Sequence, residues 1–327
     1  EITYESASCN INFTSTLSLD TMIDISQNCP SSSSTCQGGI IPGYEKWVFK
    51  DTVSLQNCND WIMHWNSGTR SSQIGNLYNP GFSNIYIQNT LNNANGISNS
   101  SPIFFSSPIF STCTFSLTSF THAAFDIDGD SLYYTLINPK TTPGPPGTSM
   151  YFIPTLSAQN PFPNATGFSF DQLTGEMCFT PNTQQYSIAS TQIEEFRNGF
   201  LIASQIREIY LTVPPCTNQQ PFAGIQASCS GTGIITTQNP SVTQTDSNSF
   251  NMNINDTLCF DINFSDPDGQ DITLTSNVNY TIPSANFTIS GNGTTNPVGT
   301  FCWSPTSLES GLNLFHIIAT DNACPIL

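Results

Sequence analysis

Short runs in which apolar and β-branched residues alternate with polar ones recur along the chain, separated by clusters of Gly, Pro, Asn and Ser. This period of two is typical of β-strands with one packed face. The stretch 191–200 also fits a short helix, but its Asn198-Gly199 pair favours a hairpin turn. The pattern predicts an all-β protein with strands at Tyr44–Val53, Trp61–Trp65, Ile85–Leu91, Leu132–Ile137, Gln192–Arg197, Phe200–Ile206, Ile206–Val213, Leu258–Phe264 and Leu314–Ala319.

Four landmarks occur twice in the same order, which indicates an internal repeat. The copies cover about 99–216 and 217–327, and a length of about 110 residues is that of a β-sandwich domain. Residues 1–98 hold three of the four tryptophans and predict a third β domain with its own core. The paired landmarks are Asn99–Phe104 with Asn218–Phe222, Asp126–Asp130 with Asp266–Asp271, Gly175–Pro181 with Gly299–Pro305, and Cys216 with Cys324.

Charge narrows the range of partners. The chain has 327 residues, with 6 Lys and Arg against 23 Asp and Glu, which gives a net charge of −17. A field of this sign repels nucleic-acid phosphates and anionic membrane surfaces, so we expect neither nucleic-acid binding nor membrane insertion. No apolar run approaches the roughly 18 residues of a membrane span. The 37% of hydrophobic residues are nevertheless enough for packed cores.

Eleven cysteines without CxxC-type spacing favour disulfides over a zinc site. They also indicate an oxidising, extracytoplasmic compartment. Cys259 and Cys302 lie in two predicted strands of the last domain, and we predict that they form a disulfide. The other expectations are pairs within 1–98 among Cys9, Cys29, Cys36 and Cys58, a pair of Cys113 with Cys178 or Cys216, and an odd cysteine at Cys229 or Cys324.

The turns Asp126–Asp130 and Asp266–Asp271 carry the strongest chemical signal. Calcium takes 6–8 oxygen ligands, and alternating Asp residues around a Gly turn supply them. The EF-hand pattern fails because no Glu follows at position 12 and the surroundings are strands. Alternatively, Asp and Gly form an ordinary turn in which carboxylates cap backbone amides. The candidate ligands are Asp126, Asp128, Asp130, Asp266, Asp268 and Asp271, with Glu194 or Glu195 and the linker residues Asn99 and Asn218 as additional candidates.

These turns resemble those of cadherin-like repeats, where the turn binds calcium near a domain junction. The resemblance implies calcium as the cofactor. The resemblance and the size of the repeats together predict three tandem immunoglobulin-like or cadherin-like β-sandwich domains, at 1–98, 99–216 and 217–327.

Several further segments resemble very large cell-surface proteins of gliding bacteria, which the type IX secretion system exports. The resemblance covers about 1–220 well and 221–327 loosely, and it departs from the family pattern at Ser6–Asn12 and at Phe196. It implies a secreted, extracellular adhesin or appendage segment within a longer chain. The segments that carry it include Glu1–Glu5, Asp51–Leu55, Cys58–Trp61, Asn99–Phe104, Glu195–Gly199 and Arg207–Ile209.

Enzymatic chemistry finds little support, so we expect a non-enzymatic segment that forms a calcium-stiffened rod or filament for attachment or gliding. The three histidines are isolated, and neither HExxH nor GxSxG occurs. One turn with three Asp also differs from a glycosidase pair, whose carboxylates flank a cleft. The alternative function is a carbohydrate-binding module that contacts surface glycans through Trp47, Trp61 and Trp65.

The scarcity of cations leads to two further expectations. Arg197 and Arg207 lie in predicted strands and are expected to pair with internal carboxylates, with a solvated face as the alternative. Lysines commonly block sheet edges, and the chain has only three. The edges are therefore covered or paired with other copies of the chain, and we expect chains to pack side by side in an appendage.

Overall fold

The structure, a computed structural model, describes residues 1–26, 33–39, 43–224, 242–246 and 249–323. The regular structure in these residues is all-β, as predicted, apart from short 3-10 helices and one four-residue helix, α1 (Val278–Thr281). Short 3-10 helices lie in loops at Thr35–Gln37, Pro80–Phe82, Ala94–Gly96 and Ser307–Glu309. None of the helices in these ranges is long and apolar enough to cross a membrane.

Eight of the strands correspond to predicted runs, with ends that differ by up to seven residues. Up to residue 141 they are β1 (Ile2–Ser6), β2 (Ile11–Ser15), β3 (Ser18–Asp24), β4 (Glu45–Lys50), β5 (Trp61–Thr69), β6 (Asn84–Leu91), β7 (Ile103–Phe104), β8 (Ile109–Ser111), β9 (Thr118–Phe120), β10 (Ala124–Phe125), β11 (Ser131–Ile137) and β12 (Lys140–Thr141). The others are β13 (Thr148–Ser149), β14 (Asn164–Phe170), β15 (Met177–Pro181), β16 (Gln185–Arg197), β17 (Phe200–Val213), β18 (Phe222–Ala223), β19 (Thr243–Asp246), β20 (Ser249–Asn251), β21 (Leu258–Ser265), β22 (Ile272–Ser276), β23 (Asn286–Ser290), β24 (Val298–Trp303) and β25 (Ile317–Asp321).

One sheet of ten strands joins segments that the sequence assigns to different domains. Its main path is β11–β16–β17–β6–β5–β1–β2, and β8, β12 and β13 attach to it. Strand β6 belongs to segment 1–98 and β17 to segment 99–216. The two strands pair over three residues each, beginning with Leu91 opposite Ala203 and ending with Asn89 opposite Gln205. The count of three separate immunoglobulin-like domains is therefore not confirmed. Independent folding of the three segments stays a prediction.

The β16–β17 hairpin confirms the predicted turn. Asn198 and Gly199 both have positive φ, 53° and 81°, and Arg197 pairs with Phe200 across the turn. Two positive-φ residues between antiparallel strands define a type I′ turn, which Asn-Gly favours because glycine has no Cβ to clash. The two strands then pair over their whole length, so the helical alternative for 191–200 does not form.

Each of the two repeats has a packed core. In the first, the three-stranded sheet β14–β15–β9 packs Phe120, Met177 and Phe179 against Ile209 and Leu211 of the large sheet. In the second, the four-stranded sheet β18–β21–β24–β23 and the pair β22–β25 surround cores that are centred on residues 258–301. Both are sandwich-like layers whose inward positions alternate with exposed ones.

The two repeats have the same strand register. Ile103 pairs with Phe125 in the first repeat, as Phe222 pairs with Ser265 in the second. Strand β9 pairs with β15, as β21 pairs with β24. Hence Ser119 lies opposite Cys178, and Cys259 lies opposite Cys302. The internal repeat seen in the sequence is a repeat of structure.

Three disulfides are described, and each agrees with a pair that the sequence suggested. They are Cys9–Cys58, Cys113–Cys216 and Cys259–Cys302. Cys178 is also disulfide-bonded. Cys36 is free and exposed, so the expectation that it pairs within 1–98 was wrong. The predicted odd cysteines, Cys229 and Cys324, lie outside the described residues, as does Cys29. Such bridges fit an oxidising compartment.

A buried ion pair crosses from segment 1–98 to segment 99–216. The guanidinium of Arg70 donates to Glu208 Oε2 at 2.5 Å and Oε1 at 2.7 Å, and also to the carbonyl of Lys140 at 2.8 Å. Arg70 is only 4% exposed. Burial raises the pKa of Glu208, while the bonds from Arg70 act against that shift.

Arg207 forms no described ion pair with a carboxylate, so the prediction that it would do so was wrong. Among the described residues its guanidinium donates to Ser106 O at 2.6 Å and to His122 Nδ1 at 3.1 Å. It also lies 4.2 Å from the ring centroid of Phe104. Burial lowers the pKa of Arg207 to about 10. Carbonyls, an imidazole and an aromatic face thus replace the anion, and the side chain holds Phe104, Ser106 and His122 against the sheet.

We predict that the Arg70–Glu208 pair couples the two segments. Arg70→Met alone should lower the free energy of unfolding by about 3–5 kcal/mol, because it leaves Glu208 buried without a partner. Arg70→Met/Glu208→Leu should lose much less, because no charge remains buried. Urea unfolding measures both. The exposed pair Lys50–Asp20 is the control, and Lys50→Met should change stability by less than about 1 kcal/mol. Equal losses in the single and double variants would contradict this coupling.

We also predict acid sensitivity from His122. Burial, with the charge of Arg207, lowers the pKa of His122 to about 3. Its neutral form stabilises the fold above the unfolded pKa near 6.5, and this stability is lost as the pH falls towards about 3. Between about pH 4 and 6, His122→Gln should reduce the pH slope of the unfolding free energy by about 1.4 kcal/mol per pH unit. An unchanged slope in pH-resolved urea titrations would refute the prediction.

Candidate metal centre

The first acidic turn lies between β10 and β11. Asp126 Oδ1 accepts the amides of Asp128 at 2.9 Å and Asp130 at 3.1 Å, and Gly129 has a φ of 82°. The Asp side chain thereby closes the turn on its own backbone, and glycine supplies the left-handed residue. One carboxylate oxygen from each of the three Asp residues lies within 4.8 Å of the others. The structure thus brings together the three predicted ligands of the first turn.

Glu195 and Asn99, the additional candidates, bond to each other beside this cluster. Asn99 Nδ2 donates to Glu195 Oε2 at 2.6 Å, and the amide of Ser100 donates to Asp128 Oδ2 at 2.6 Å. The linker that enters the repeat is therefore bonded to the acidic turn. Glu194, the alternative candidate, instead accepts a hydrogen bond from Gln192.

Burial disfavours the charged form of two carboxylates of this site, and one carboxylate oxygen has no partner among the described residues. Glu195 is 1% exposed, and burial, with the charges of the three Asp residues, raises its pKa to about 7. Burial also raises the pKa of Asp126. Asp126 Oδ2 is buried and has no hydrogen-bond partner among the described residues. A buried carboxylate oxygen without a donor is costly unless a cation satisfies it.

Arg197 supplies the nearest cation, at one side of the cluster. Its Nε and one terminal nitrogen donate to the two oxygens of Asp130, both at 2.7 Å, and the charge lies 3.6 Å from Asp128. Its other terminal nitrogen donates to the carbonyl of Ser98 at 2.8 Å. The expectation that Arg197 pairs with an internal carboxylate is confirmed.

The second acidic turn repeats these contacts. Asp266 Oδ1 accepts the amides of Asp268 at 2.8 Å and Gln270 at 3.3 Å, and the amide of Gln219 donates to Asp268 Oδ2 at 2.8 Å. Asn218 Nδ2 donates to Asp321 Oδ2 at 2.7 Å. Asp266 Oδ2 and Gln270 Oε1 are buried and have no hydrogen-bond partner among the described residues.

The register shows which residues are equivalent. Leu132 pairs with Glu195, and Ile272 pairs with Asp321, so Asp321 takes the place of Glu195. Gln270 takes the place of Asp130, because each donates its amide to the first Asp of its turn.

The predicted ligand Asp271 therefore does not take the place of Asp130. It is one residue too late, is exposed, and donates its amide to Asn322 Oδ1. Asp321 was missed, although aligning it with Glu195 through the strand register identifies it. Within the described ranges, only the first turn forms a group of three close carboxylates.

The two sites differ by one acidic and one basic side chain, which the first site has and the second lacks. The first has four carboxylates and the guanidinium of Arg197. The second has three carboxylates, the neutral amide of Gln270, and Ala323 two residues after Asp321, where Arg197 follows Glu195. An acid and a base are both absent from the second site, so both sites have the same net formal charge when ionised. Each set offers carboxylate and amide oxygens, which are the donors that hard divalent cations such as calcium prefer.

The other candidate sites are not assembled. Trp61 is 1% exposed and belongs to the core, whereas Trp47 and Trp65 are exposed on separate sheets, so the three do not form a row. A cavity of about 380 Å³ beside residues 184–187 is lined mainly by Gln, Thr, Ser and Pro, with Tyr186 as its titratable side chain. Comparison with protein-family models and with curated proteins finds no match to this chain.

We predict that the first site tolerates the loss of Arg197 better when Asp130 is also replaced by the glutamine of the second site. Arg197→Ala alone should lower the melting temperature in chelator, because Asp130 and its neighbours lose their cation. Asp130→Gln/Arg197→Ala reproduces the composition of the second site and should melt closer to the wild-type protein than Arg197→Ala does. Differential scanning calorimetry compares the three proteins. The prediction fails when the double variant is the least stable of them.

Proposed function

We propose that this chain is a non-enzymatic, structural and adhesive segment of a secreted cell-surface protein, and that calcium stiffens its repeats. The observation that carries the proposal is the buried carboxylate oxygen without a partner that recurs in both acidic turns, at Asp126 and Asp266. A site that recurs in register in two repeats reflects the architecture of the repeat rather than one local accident.

The position of the turns connects the ion to stiffness. In each repeat the acidic turn accepts a backbone amide of the incoming linker, from Ser100 in the first and Gln219 in the second. A cation that draws the carboxylates together fixes the linker with them. Calcium at extracellular concentrations fills sites whose dissociation constants are about 10⁻⁴–10⁻³ M.

Contacts between the two repeats support a stiff junction. Tyr280, in α1 of the second repeat, lies 5.3 Å from the ring of Phe105 and 5.9 Å from that of Phe125 in the first. Gln220 of the linker accepts the amide of Ser119 at 3.0 Å. Phe125 immediately precedes Asp126, so the aromatic contact and the acidic turn occupy the same end of the first repeat. An ordered turn therefore supports an ordered junction.

Other observations favour this function over its competitors. Disulfides and the net charge of −17 fit an extracellular protein, and the resemblance to type IX-secreted adhesins suggests the cell surface. A glycosidase needs two carboxylates across a cleft, whereas these carboxylates share one turn. The carbohydrate-binding alternative loses support because Trp61 is buried.

We predict that calcium raises the melting temperature of the chain relative to chelator. At a calcium concentration 100-fold above the dissociation constant, one site stabilises the fold by about 2.7 kcal/mol. Asp126→Asn and Asp266→Asn should each reduce this gain. Small-angle scattering should show a more extended, less variable particle with calcium. Calorimetry and scattering on the whole chain, with calcium and with chelator, provide the measurement.

Matched controls come from two Asp residues outside the clusters. Asp171 caps the amides of Leu173 and Thr174 in an ordinary turn, and Asp271 is exposed beside the second site. Asp171→Asn and Asp271→Asn should keep the full calcium response. A response that is absent from the wild-type protein, or that Asp271→Asn abolishes as completely as Asp266→Asn, would count against the proposal.

A further inference from the structure

The ribbon β3–β4 stands apart from the sheets of the fold. In the described part of the chain, its two strands pair only with each other, and every residue of β3 is exposed. Leu19, Met22, Trp47 and Phe49 are each exposed by about half, at 50%, 56%, 51% and 47%. A lone two-stranded ribbon is marginally stable in water, and clustered exposed apolar side chains mark interaction sites.

The register divides the ribbon into two unlike faces. Leu19 lies opposite Phe49, Met22 opposite Trp47, and Asp24 opposite Glu45, and residues that pair directly share a face. We call this the aromatic face. Ser18, Thr21 and Ile23, opposite Lys50, Val48 and Lys46, form the other face, which we call the lysine face. A bulge between Leu19 and Thr21 keeps both faces in phase with their partners.

The two faces are complementary in charge and in apolarity. The aromatic face carries the carboxylates of Asp24 and Glu45, and the lysine face carries two of the three lysines of the whole chain. Asp20 pairs with Lys50 at 2.9 Å, so Lys46 is the cation of this face without a described ion pair. Val48 and Ile23 provide apolar area between the charges. The chain has a net charge of −17, so a cationic surface is rare on it. Here one face of the ribbon is cationic and the opposite face of the same ribbon is acidic.

We propose that the aromatic face of the β3–β4 ribbon docks on the lysine face of the ribbon in a second copy of this chain. Stacked sheets pack about 10 Å apart, which suits the interdigitation of Trp47 and Phe49 with Ile23 and Val48. The contact places Glu45 and Asp24 of one copy against Lys46 of the next. Because unlike faces meet, a pair of copies retains one free aromatic face and one free lysine face, and the contact propagates into a ring or an open filament.

A glycan is a poorer fit for the aromatic face than a protein surface. Trp47 Nε1 already donates to Glu45 at 2.9 Å, and the rings of Trp47 and Phe49 lie 6.4 Å apart with Leu19 and Met22 beside them. Sugar sites combine an aromatic platform with several polar groups that fix orientation. This face offers a continuous apolar strip with its carboxylates at one end, which suits another apolar strip edged with lysine.

The size of the surface sets the strength of the contact. Two half-exposed aromatic and two half-exposed aliphatic side chains expose on the order of 300–400 Å². A stable interface buries about 800 Å² on each partner, so the ribbon contact is weak and depends on concentration. The inference does not rest on calcium. The experiment is therefore run in chelator, where a failure of the metal proposal leaves it unaffected.

Sedimentation equilibrium of the whole chain in chelator, at about 0.15 M salt to limit charge repulsion, tests the contact. We expect reversible self-association that grows with protein concentration. Trp47→Thr should weaken association at least tenfold. Phe82→Thr, which removes a 91% exposed aromatic outside the ribbon, should not alter it. Both positions are exposed, so the fold is retained, and circular dichroism checks this.

A charge exchange tests the pairing of unlike faces. Lys46→Glu and Glu45→Lys should each abolish association, because like charges then meet at every contact. An equimolar mixture of the two variants should associate again, since each supplies the face that the other lacks. A monomeric wild-type chain at all concentrations overturns the proposal, and so does a mixture that stays monomeric. Trp47-dependent binding to a glycan array without self-association overturns it in favour of a carbohydrate site.

Discussion

Strand β17 pairs along both of its edges, and the rest of the structure depends on this pairing. One edge bonds to β16 over the full length of the strand. The other bonds first to β6 and then, in parallel, to β8. Ile206, Ile209 and Leu211 are buried along it, so the strand also contributes to the main core. Segment 1–98 is thus joined to the first repeat by backbone hydrogen bonds, which the Arg70–Glu208 pair reinforces.

Much of this arrangement follows from local patterns in the sequence. The alternation of polar and apolar residues places eight of the strands to within seven residues. Asn198-Gly199 specifies the hairpin because few other pairs tolerate two positive φ values. The join between β6 and β17 was not predictable in the same way. It depends on which sheet edge meets which, and a period of two contains no information about the neighbour across an edge. The repeat landmarks favoured a boundary at 98/99, where the sheet in fact continues.

In the acidic turns, residue identity predicts the neighbours in sequence but not the residues that strand register brings close. Asp126, Asp128 and Asp130 were identified because they lie next to one another in the sequence. In the second turn the same reasoning chose Asp271, but a cluster depends on register, and one residue along a strand reverses the direction of the side chain. Gln270 carries no charge, so a search for acidic residues does not select it. Asp321 lies 50 residues after Asp271 in the sequence. Arg207 is a related case, since its partners are carbonyls and a ring, which no charge pattern indicates.

The Cys113–Cys216 disulfide decides how the first repeat carries mechanical load. Tension that enters through residues before 113 and leaves through residues after 216 passes across the sulfur–sulfur bond and not along the 103-residue loop that the bond closes. At about 3.4 Å per residue, roughly 350 Å of chain is withheld from extension while the bond is intact. That loop contains the first acidic turn and the β16–β17 hairpin, whereas Asn99 and strand β6 lie outside it. In the second repeat, Cys259–Cys302 closes a loop of only 43 residues, so this bond withholds less chain from extension.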